Sequence, residues 1–225
     1  MCGSICYPRH IDYAFFREVA DEVGAYLIAD AAHPIGLVAG GAAPSPLPYA
    51  DIVCATTHKV LRGPRGGMIL CGAELAERVD RAVFPFTQGG AQMHTIAAKA
   101  VAFGEAATPA FTAYAHQVVA NARVLAAGLA AEVITADPAP LGVDGRTGRG
   151  LLAAAGIVLD CCALPHGDSR GLRLGTAALT TQGMGEQEMA QVSALIAGVL
   201  RGEAEAVRAR EEVRDLAGGF PPYPG

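Results

Sequence analysis

The sequence lacks the features that mark several large classes of protein. It has no apolar run long enough to span a bilayer, and we therefore expect no membrane partner. The first ten residues do not combine a basic start with an apolar core, so a cytoplasmic location is the expectation. Acidic residues outnumber basic ones, 22 to 17, and the net charge of -5 argues against nucleic acid as a partner.

Paired cysteine motifs are also missing. The chain has six cysteines, but no two of them are separated by the two residues typical of a zinc-binding pair, and Cys161 directly precedes Cys162. Cys54 and Cys71 lie in apolar runs, where a free thiol packs as a small hydrophobic group. The sequence therefore predicts neither a metal centre nor a disulfide framework.

Composition and periodicity predict an α/β fold followed by a smaller C-terminal unit. Hydrophobic residues make up 52% of the chain and charged residues 17%, which is enough apolar material for a core. Helical and strand patterns alternate, as expected for a mostly parallel sheet with helices. We predict a large domain at 1–134, a linker rich in turn residues at 135–150, a small C-terminal α/β domain at 151–202 and a charged, flexible tail at 203–225.

Local patterns place the individual elements. Asp12 is expected to cap a helix that Gly24 ends. The loop at 34–50 is long for a structureless connection, and such loops are often functional. Apolar patterns predict strands at 25–29, 51–55 and 66–71, helices at 74–82, 92–106, 111–129 and 186–200, and a second loop at 84–90.

Two of the predicted strands lead to an ionisable residue. The run Ala25–Ala29 ends in Asp30, with His33 three residues on, and the run Asp51–Ala55 leads to Lys59. In open α/β sheets, ligands bind outside the carboxyl ends of the strands, so we expect both side chains at one crevice. A lysine can form an imine with an aldehyde, and a carboxylate can keep a pyridine nitrogen protonated. The pair is what a pyridoxal phosphate site needs.

The same residues also have a plainer interpretation. Lys59 is then a solvated residue at a strand end, and Asp30 with His33 forms a helix cap beside a surface histidine. Gly89–Gly90 either offers backbone N–H groups to a phosphate or simply forms a turn. Arg173 either grips a carboxylate with its guanidinium group or lies at the surface. Spacing alone leaves these alternatives open.

Longer strings of residues carry a resemblance to a known family. The stretch Thr56–Gly67 reads Thr-Thr-His-Lys-Val-Leu-Arg-Gly-Pro-Arg-Gly-Gly, which is a highly specific string. It follows Asp30-x-Ala32-His33 and precedes Gln88-Gly89-Gly90, Ala98–Phe103 and Gly171-x-Arg173-x-Gly175-Thr176. The sequence resembles the serine hydroxymethyltransferases, which are fold-type I pyridoxal phosphate enzymes. The resemblance implies an incomplete large domain of that fold followed by an abridged small domain.

The resemblance implies roles for the residues around the cofactor. Lys59 is similar to the lysine that binds the aldehyde, Asp30 to the partner of the pyridinium nitrogen, and His33 to the residue near the phenolic oxygen. Thr56 and His58 lie where the family places polar groups of the active site.

Four further residues match positions that contact the cofactor or the substrate. Arg65 resembles an arginine that lines the cofactor site, and Gly89 and Gly90 resemble the loop that reaches the phosphate of the neighbouring subunit's cofactor. Arg173 resembles the arginine that binds the carboxylate of the amino acid. The implied substrate is glycine, serine or another β-hydroxy amino acid, and the implied reaction is hydroxymethyl transfer or retro-aldol cleavage in a homodimer.

The sequence also departs from the family pattern. Family members are far longer, and the part that precedes the Tyr7–Arg9 segment, with its phosphate loop and ring-stacking histidine, has no counterpart here. The asparagine that contacts folate is replaced by Cys162, and Gln182 replaces an arginine. The resemblance therefore implies pyridoxal phosphate as the cofactor and makes tetrahydrofolate a doubtful co-substrate.

Two hypotheses about function follow from these patterns. In the first, the protein is a pyridoxal phosphate enzyme that forms a homodimer or associates with a chain supplying the missing N-terminal half. In the second, it is a non-catalytic truncated paralogue, or one half of a split enzyme that needs a partner chain. Binding of pyridoxal phosphate separates them.

Overall fold

The computed structural model describes residues 1–222 with the exception of 6, 8, 130–134, 165–169 and 204. Contacts within the chain define two compact units. The first unit comprises residues 1–5 and 10–116, and the second comprises residues 6–9 and 117–225. Within the described ranges, no helix is both long and apolar enough to cross a membrane.

The first unit is built around a four-stranded sheet with the order β1-β2-β3-β4. The first three strands run parallel, and β4 runs antiparallel to β3. This is the mixed, mostly parallel sheet that the sequence predicts, with strand bounds that differ from the predicted ones by a few residues. The strands are β1 (Cys2–Gly3), β2 (Ile28–Asp30), β3 (Ile52–Thr56) and β4 (Gly67–Cys71).

The two faces of the sheet differ in burial. Successive side chains of a strand point to opposite faces, and on β3 the residues Val53 and Ala55 are buried while Cys54 and Thr56 are only half-buried. Asp30 pairs with Cys54 in the parallel register of β2 and β3. The less buried face therefore carries the polar residues at the carboxyl ends of both strands.

Helices precede and follow these strands. The Asp12 side chain caps the first helix by accepting a hydrogen bond from the Phe15 N–H at 3.1 Å, and Gly24 follows its end with a φ of 64°, as the sequence predicts. The helices that begin in the first unit are α1 (Tyr13–Glu22), α2 (Ile35–Ala39), α3 (Ala73–Arg81), α4 (Met93–Ala106) and α5 (Pro109–Gly128).

Two stretches that the sequence predicts as loops contain regular backbone. The stretch 34–50 includes α2, and the stretch 84–90 overlaps a turn with π-type hydrogen bonding at Ala82–Thr87. The five residues of α2 are too few for helical periodicity to show in the sequence. A Cβ on Gly36 would stand 2.5 Å from the Leu61 nitrogen, so this helix lies directly against the chain that follows β3.

The second unit has a three-stranded antiparallel sheet of its own, in the order β5-β7-β6. Its strands are β5 (Thr135–Ala136), β6 (Asp160–Ala163) and β7 (Arg170–Arg173), and its helices are α6 (Gly145–Ala154), α7 (Ala177–Thr181), α8 (Glu186–Leu200) and α9 (Ala206–Gly218). The apolar core of this unit includes Leu152, Leu172, Met189 and Ile196, which are almost completely buried.

The stretch 135–150, predicted as a linker, is not a bare connection. It holds β5, a short 3-10 turn at Ala139–Leu141 and the first residues of α6, whose cap Asp144 accepts a hydrogen bond from the Arg146 N–H at 2.8 Å. Its prolines and glycines conceal these short elements in the sequence. The predicted flexible tail likewise contains α9, and Ala209 of that helix lies in the core.

Candidate active site

Asp30 is the last residue of β2, and it has a paired residue on each of the two neighbouring strands. The register pairs it with Gly3 on β1 and with Cys54 on β3. Its Oδ1 accepts a hydrogen bond from the Ala32 N–H at 3.0 Å, and the residue is exposed. A Cβ on Gly3 would stand 2.7 Å from the Asp30 Cβ, so any other residue at position 3 would clash with the Asp30 side chain. The Asp30 carboxylate is thus oriented by backbone and accessible.

Cys54 is the neighbour of Asp30 on the same face of the sheet. Burial raises the pKa of the Cys54 thiol, and the Asp30 carboxylate raises it further. The thiol is therefore uncharged at neutral pH. It adds no second negative charge beside the Asp30 carboxylate.

Hydrogen bonds join the chain segments that leave β2 and β3. Thr56 Oγ1 donates to the Ala32 carbonyl oxygen at 3.0 Å, and the Ala31 N–H donates to the Cys54 carbonyl oxygen at 2.8 Å. The two segments therefore stay side by side beyond the ends of the strands. This contact connects the stretch that carries Asp30 to the stretch that carries Lys59.

Lys59 lies on the connection between β3 and β4, which we call the Lys59 loop (57–66). Thr57 at its base is completely buried. The Thr57 N–H donates to the Gly66 carbonyl oxygen at 3.0 Å, and the Thr57 hydroxyl donates to the Pro64 carbonyl oxygen at 2.6 Å. One residue thus ties the beginning of the loop to its end.

Two further bonds close the same base. The Gly63 N–H donates to the Thr57 carbonyl oxygen at 2.7 Å. His58 Nδ1 lies 3.3 Å from the Gly66 nitrogen and 3.2 Å from the Gly66 oxygen, so it accepts from the N–H when unprotonated and donates to the carbonyl when protonated. His58 is therefore oriented by backbone in either state.

The outer part of the Lys59 loop is held by Arg62. Arg62 has a φ of 59°, in the left-handed region, and its N–H donates to the Lys59 carbonyl oxygen at 2.9 Å. Its guanidinium carbon lies 4.0 Å from the centroid of the Tyr114 ring and 5.4 Å from that of Phe111. The backbone of Lys59 is therefore fixed, and Lys59 itself is half-buried.

Four other predicted site residues of the first unit differ in how exposed they are and in the elements that they adjoin. His33 is half-buried and stands two residues before α2, and Arg65 is exposed near the end of the Lys59 loop. Gly89 and Gly90 are exposed between the π-type turn and α4. Among the described residues, no atom apart from those of the adjacent residues lies within 4 Å of a Cβ added to either of them. Their backbone is open to a ligand, and the roles of all four residues stay predictions.

Arg173 belongs to the second unit, on β7. Its Nη2 lies 3.0 Å from Asp160 Oδ2 on β6, and the two residues are paired in the register of the sheet. The two side chains retain 31% and 56% of their exposure, so the ion pair is accessible to water and contributes little stability. A free carboxylate could therefore compete with Asp160 for Arg173 at small cost. Cys162 lies on β6 opposite Gly171.

Two residues that the motifs did not single out take part in this arrangement. Thr57 closes the Lys59 loop, and Lys99 on α4 donates from Nζ to the Gly67 carbonyl oxygen at 2.8 Å. Strand alternation places Thr57 on the buried face, opposite to Thr56, and helical spacing places Lys99 on the same face of α4 as the buried Ala102. Both signals are present in the sequence.

One family model and several curated proteins are similar to the chain. The model described as serine hydroxymethyltransferase matches residues 1–196. Serine hydroxymethyltransferase 1 of Rhodospirillum rubrum is 46% identical over 250 residues, which cover 99% of this chain and 57% of that protein. The serine hydroxymethyltransferases of Rhodospirillum centenum and Prochlorococcus marinus are each 47% identical and cover 100% of this chain and 58% of their own length. The chain thus spans less than two thirds of each of these relatives.

Proposed function

Because the chain belongs to the serine hydroxymethyltransferase family, we propose that it is a pyridoxal-phosphate-dependent protein acting on glycine, serine or another β-hydroxy amino acid. The proposed reaction is hydroxymethyl transfer or retro-aldol cleavage. The observation that carries the proposal is the hydrogen bond from Thr56 to Ala32, which joins the segments of Asp30 and Lys59 at the carboxyl edge of two parallel strands.

We also assign the two units to the parts of a fold-type I enzyme. The four-stranded sheet corresponds to part of the large domain, and the second unit corresponds to an abridged small domain. The parallel order of β1, β2 and β3 supports the first assignment, and the separate antiparallel sheet with its own core supports the second.

The residues present fit pyridoxal phosphate. Asp30 offers an exposed carboxylate that can pair with a pyridinium nitrogen, and the uncharged Cys54 beside it does not compete for that proton. Lys59 offers an amine on a loop whose backbone is fixed by Thr57 and Arg62. When bound, the cofactor supplies an electron sink for negative charge at the α-carbon of the amino acid.

The proposed tasks of the residues around the ring follow from their contacts. Lys59 would bind the cofactor aldehyde through Nζ, and Asp30 would hold a proton on the ring nitrogen. Thr56 is oriented by its bond to Ala32, and His58 by Gly66, so the polar group of each has a fixed orientation. His33 would lie near the phenolic oxygen.

The phosphate and the substrate would be held by residues farther along the chain. Arg65 would line the cofactor site, and the open backbone of Gly89–Gly90 would bind the phosphate of a neighbouring subunit's cofactor. Arg173 would exchange Asp160 for the carboxylate of the amino acid. These roles imply a homodimer or an association with another chain.

Tetrahydrofolate stays a doubtful co-substrate in this proposal. Cys162 occupies the position that the family pattern gives to a folate-contacting asparagine, and a thiol is a much weaker hydrogen-bonding group than an amide. A folate-independent aldolase or transaldolase is therefore the variant of the reaction that we favour.

A second candidate function is that of a non-catalytic paralogue or one half of a split enzyme. The observation in its favour is that the chain spans 57–58% of the length of its relatives. Contacts to the phosphate supply much of the anchoring of a small phosphorylated cofactor. Such a chain would bind pyridoxal phosphate weakly by itself or only with a partner.

The test is an absorbance titration of the purified chain with pyridoxal phosphate. We expect a band in the imine region for the wild type and its loss in Lys59→Ala, because Lys59 is the proposed imine-forming residue. The other lysine of the sequence, Lys99, donates to the Gly67 carbonyl oxygen. Reduction with borohydride followed by peptide mass mapping should place the label on Lys59. The absence of a band in the wild type, or an equal band in Lys59→Ala, would contradict the proposal.

A further inference from the structure

One narrow face of α4 is covered by the rest of the first unit. Most residues of this helix are exposed, whereas Ala102 is buried and three others are half-buried. Together these four form one stripe at helical spacing: Thr95, Lys99, Ala102 and Ala106. Lys99 carries the only charge in this stripe.

The stripe lies against the second half of the Lys59 loop. A Cβ on Gly63 would stand 3.2 Å from the Ala102 Cβ, and a Cβ on Gly66 would stand 2.9 Å from Lys99 Cε. Two glycines of the loop therefore approach two successive residues of the stripe closely enough that any side chain would force a displacement. Through these contacts α4 supports the loop.

Lys99 adds a bond at the point where the loop returns to the sheet. Its ammonium group donates to the Gly67 carbonyl oxygen at 2.8 Å. Gly67 is the first residue of β4 and pairs with Thr56, and the preceding Gly66 contacts both the Thr57 N–H and His58 Nδ1. A hydrogen bond from a charged donor is stronger than one between neutral groups. The ammonium group thus acts on the residues that orient His58 and close the base of the loop.

We propose that Lys99 is a positioning residue that holds the return point of the Lys59 loop and so sets the place of His58 and Lys59. This inference rests on the proposed function, in which Lys59 binds pyridoxal phosphate. In this scheme Lys99 does not itself react, and its ammonium group donates to the Gly67 carbonyl oxygen.

The first test is amide hydrogen exchange of the cofactor-free protein, read on peptides that cover the loop. In Lys99→Met we expect exchange at residues 57–67 to be about fivefold to tenfold faster, because the loss of one charge-assisted bond makes local opening easier. Lys99→Arg keeps a charged donor and should restore protection. Glu105→Met, an exposed position on the same helix, is the matched control and should exchange like the wild type.

The second test is borohydride labelling at increasing concentrations of pyridoxal phosphate. In Lys99→Met the concentration that half-labels Lys59 should rise about tenfold, and in Lys99→Arg it should stay near the wild-type value. Because Lys59 is the one remaining lysine in both variants, the mass of its peptide reports the site without ambiguity.

A second variant reaches the same contact from the loop side. Gly66→Ala places a methyl group 2.9 Å from Lys99 Cε, so we expect it to displace the ammonium group and to reproduce both effects with Lys99 intact. If Lys99→Met does not fold, this variant carries the test. Exchange and labelling like those of the wild type in Gly66→Ala and Lys99→Met would overturn the inference.

The two proposals fail in different ways. If the wild type takes up no label at Lys59, the proposed function fails, and hydrogen exchange still decides whether Lys99 holds the loop. If the wild type is labelled at Lys59 and the loss of the Lys99 bond changes neither exchange nor half-labelling, the positioning role alone is wrong.

Discussion

At the scale of the residue, Asp51 illustrates how single side chains fix the start of β3 beside β2. Its Oδ2 accepts a hydrogen bond from the Leu27 N–H at 2.6 Å and another from Arg17 Nη1 at 2.8 Å. The Leu27 N–H lowers the pKa of Asp51 most, and the Arg17 side chain lowers it further. A carboxyl group with a depressed pKa stabilises the fold above its unfolded pKa, and the contribution is lost as the pH falls through the folded value.

We expect Asp51→Asn to lower the free energy of unfolding at about pH 7 by about 1 kcal/mol, because the amide makes weaker bonds to the same two partners. The difference from the wild type should narrow as the pH falls from the ordinary value of 3.8 through the lower folded value, since the unfolded wild-type chain then binds a proton before the folded one does. Urea unfolding of both proteins across this range measures the effect. A difference of equal size at about pH 7 and pH 2 would contradict it.

Sequence patterns reach some of these residues and miss others. Asp30 and Lys59 can be predicted because each follows an apolar run, and a charged residue after a buried strand stands out. The bond from Thr57 to Pro64 cannot be predicted this way, because it joins residues that meet only when the loop closes. The ion pair of Arg173 with Asp160 likewise depends on the pairing of β6 with β7.

At the scale of the element, α2 supports the Lys59 loop from another direction. A Cβ on Gly36 would stand 2.5 Å from the Leu61 nitrogen and equally close to the Val60 carbonyl carbon. These are backbone atoms, so the neighbour cannot rotate away as a flexible side chain would. The short helix and the residues that follow Lys59 must therefore keep a fixed separation.

We expect Gly36→Ala to lower the free energy of unfolding by about 1 to 3 kcal/mol, because the added methyl group overpacks this contact. Gly104→Ala on α4 is the matched control, since no atom of the described residues outside the backbone of α4 itself lies within 4 Å of its added Cβ. It should raise the free energy of unfolding by about 0.5 to 1 kcal/mol. Urea unfolding of the two variants and the wild type decides the matter. Equal stabilities for both variants would show that α2 yields to the new methyl group.

The elements that the sequence predicts well are those with a long pattern or a clear cap. The first helix has both, since Asp12 caps it and apolar residues recur along it. The strand β5 has only two residues, and prolines surround it, so no periodicity could show. The beginning of α6 was predictable in principle, because Asp144 is a strong N-cap residue, but the neighbouring glycines outweigh that signal.

At the scale of the whole molecule, the share of its relatives' length that the chain spans is the feature that most affects the proposed function. It covers 57% of the relative from Rhodospirillum rubrum.

The alternation of helices and strands was sufficient to predict the mostly parallel sheet of the first unit, because neighbouring parallel strands need a crossover connection, which is usually a helix. The antiparallel sheet of the second unit was not predictable, since its three strands are short and separated by helices and turns.

If a second polypeptide completes the site, adding one should tighten cofactor binding. We expect a separately expressed polypeptide, with the sequence of the part of the Rhodospirillum rubrum protein that this chain does not match, to lower the half-saturating concentration of pyridoxal phosphate about tenfold or more. The reason is that it would add phosphate contacts to a ring already held by Asp30 and Lys59. Absorbance titration with and without the polypeptide gives the comparison.

The control for this experiment is the same addition to Lys59→Ala, which should show no band in the imine region at any concentration. Gel filtration reports whether the two polypeptides elute together. Separate elution with an unchanged half-saturating concentration would mean that no second chain of this sequence completes the site.

The placement of Lys59 and Lys99 has a consequence for proteolysis. An endoprotease that cleaves only after lysine has two cutting points in the whole sequence, and both belong to one loop and the helix that supports it. The first bond that it would cut follows Lys59, where Gly36 lies close to the backbone of Val60. The second follows Lys99, in the interior of α4. The rate at which such an enzyme cuts the native chain therefore measures the opening of this one region, because the rest of the sequence contains no site that the enzyme can cut.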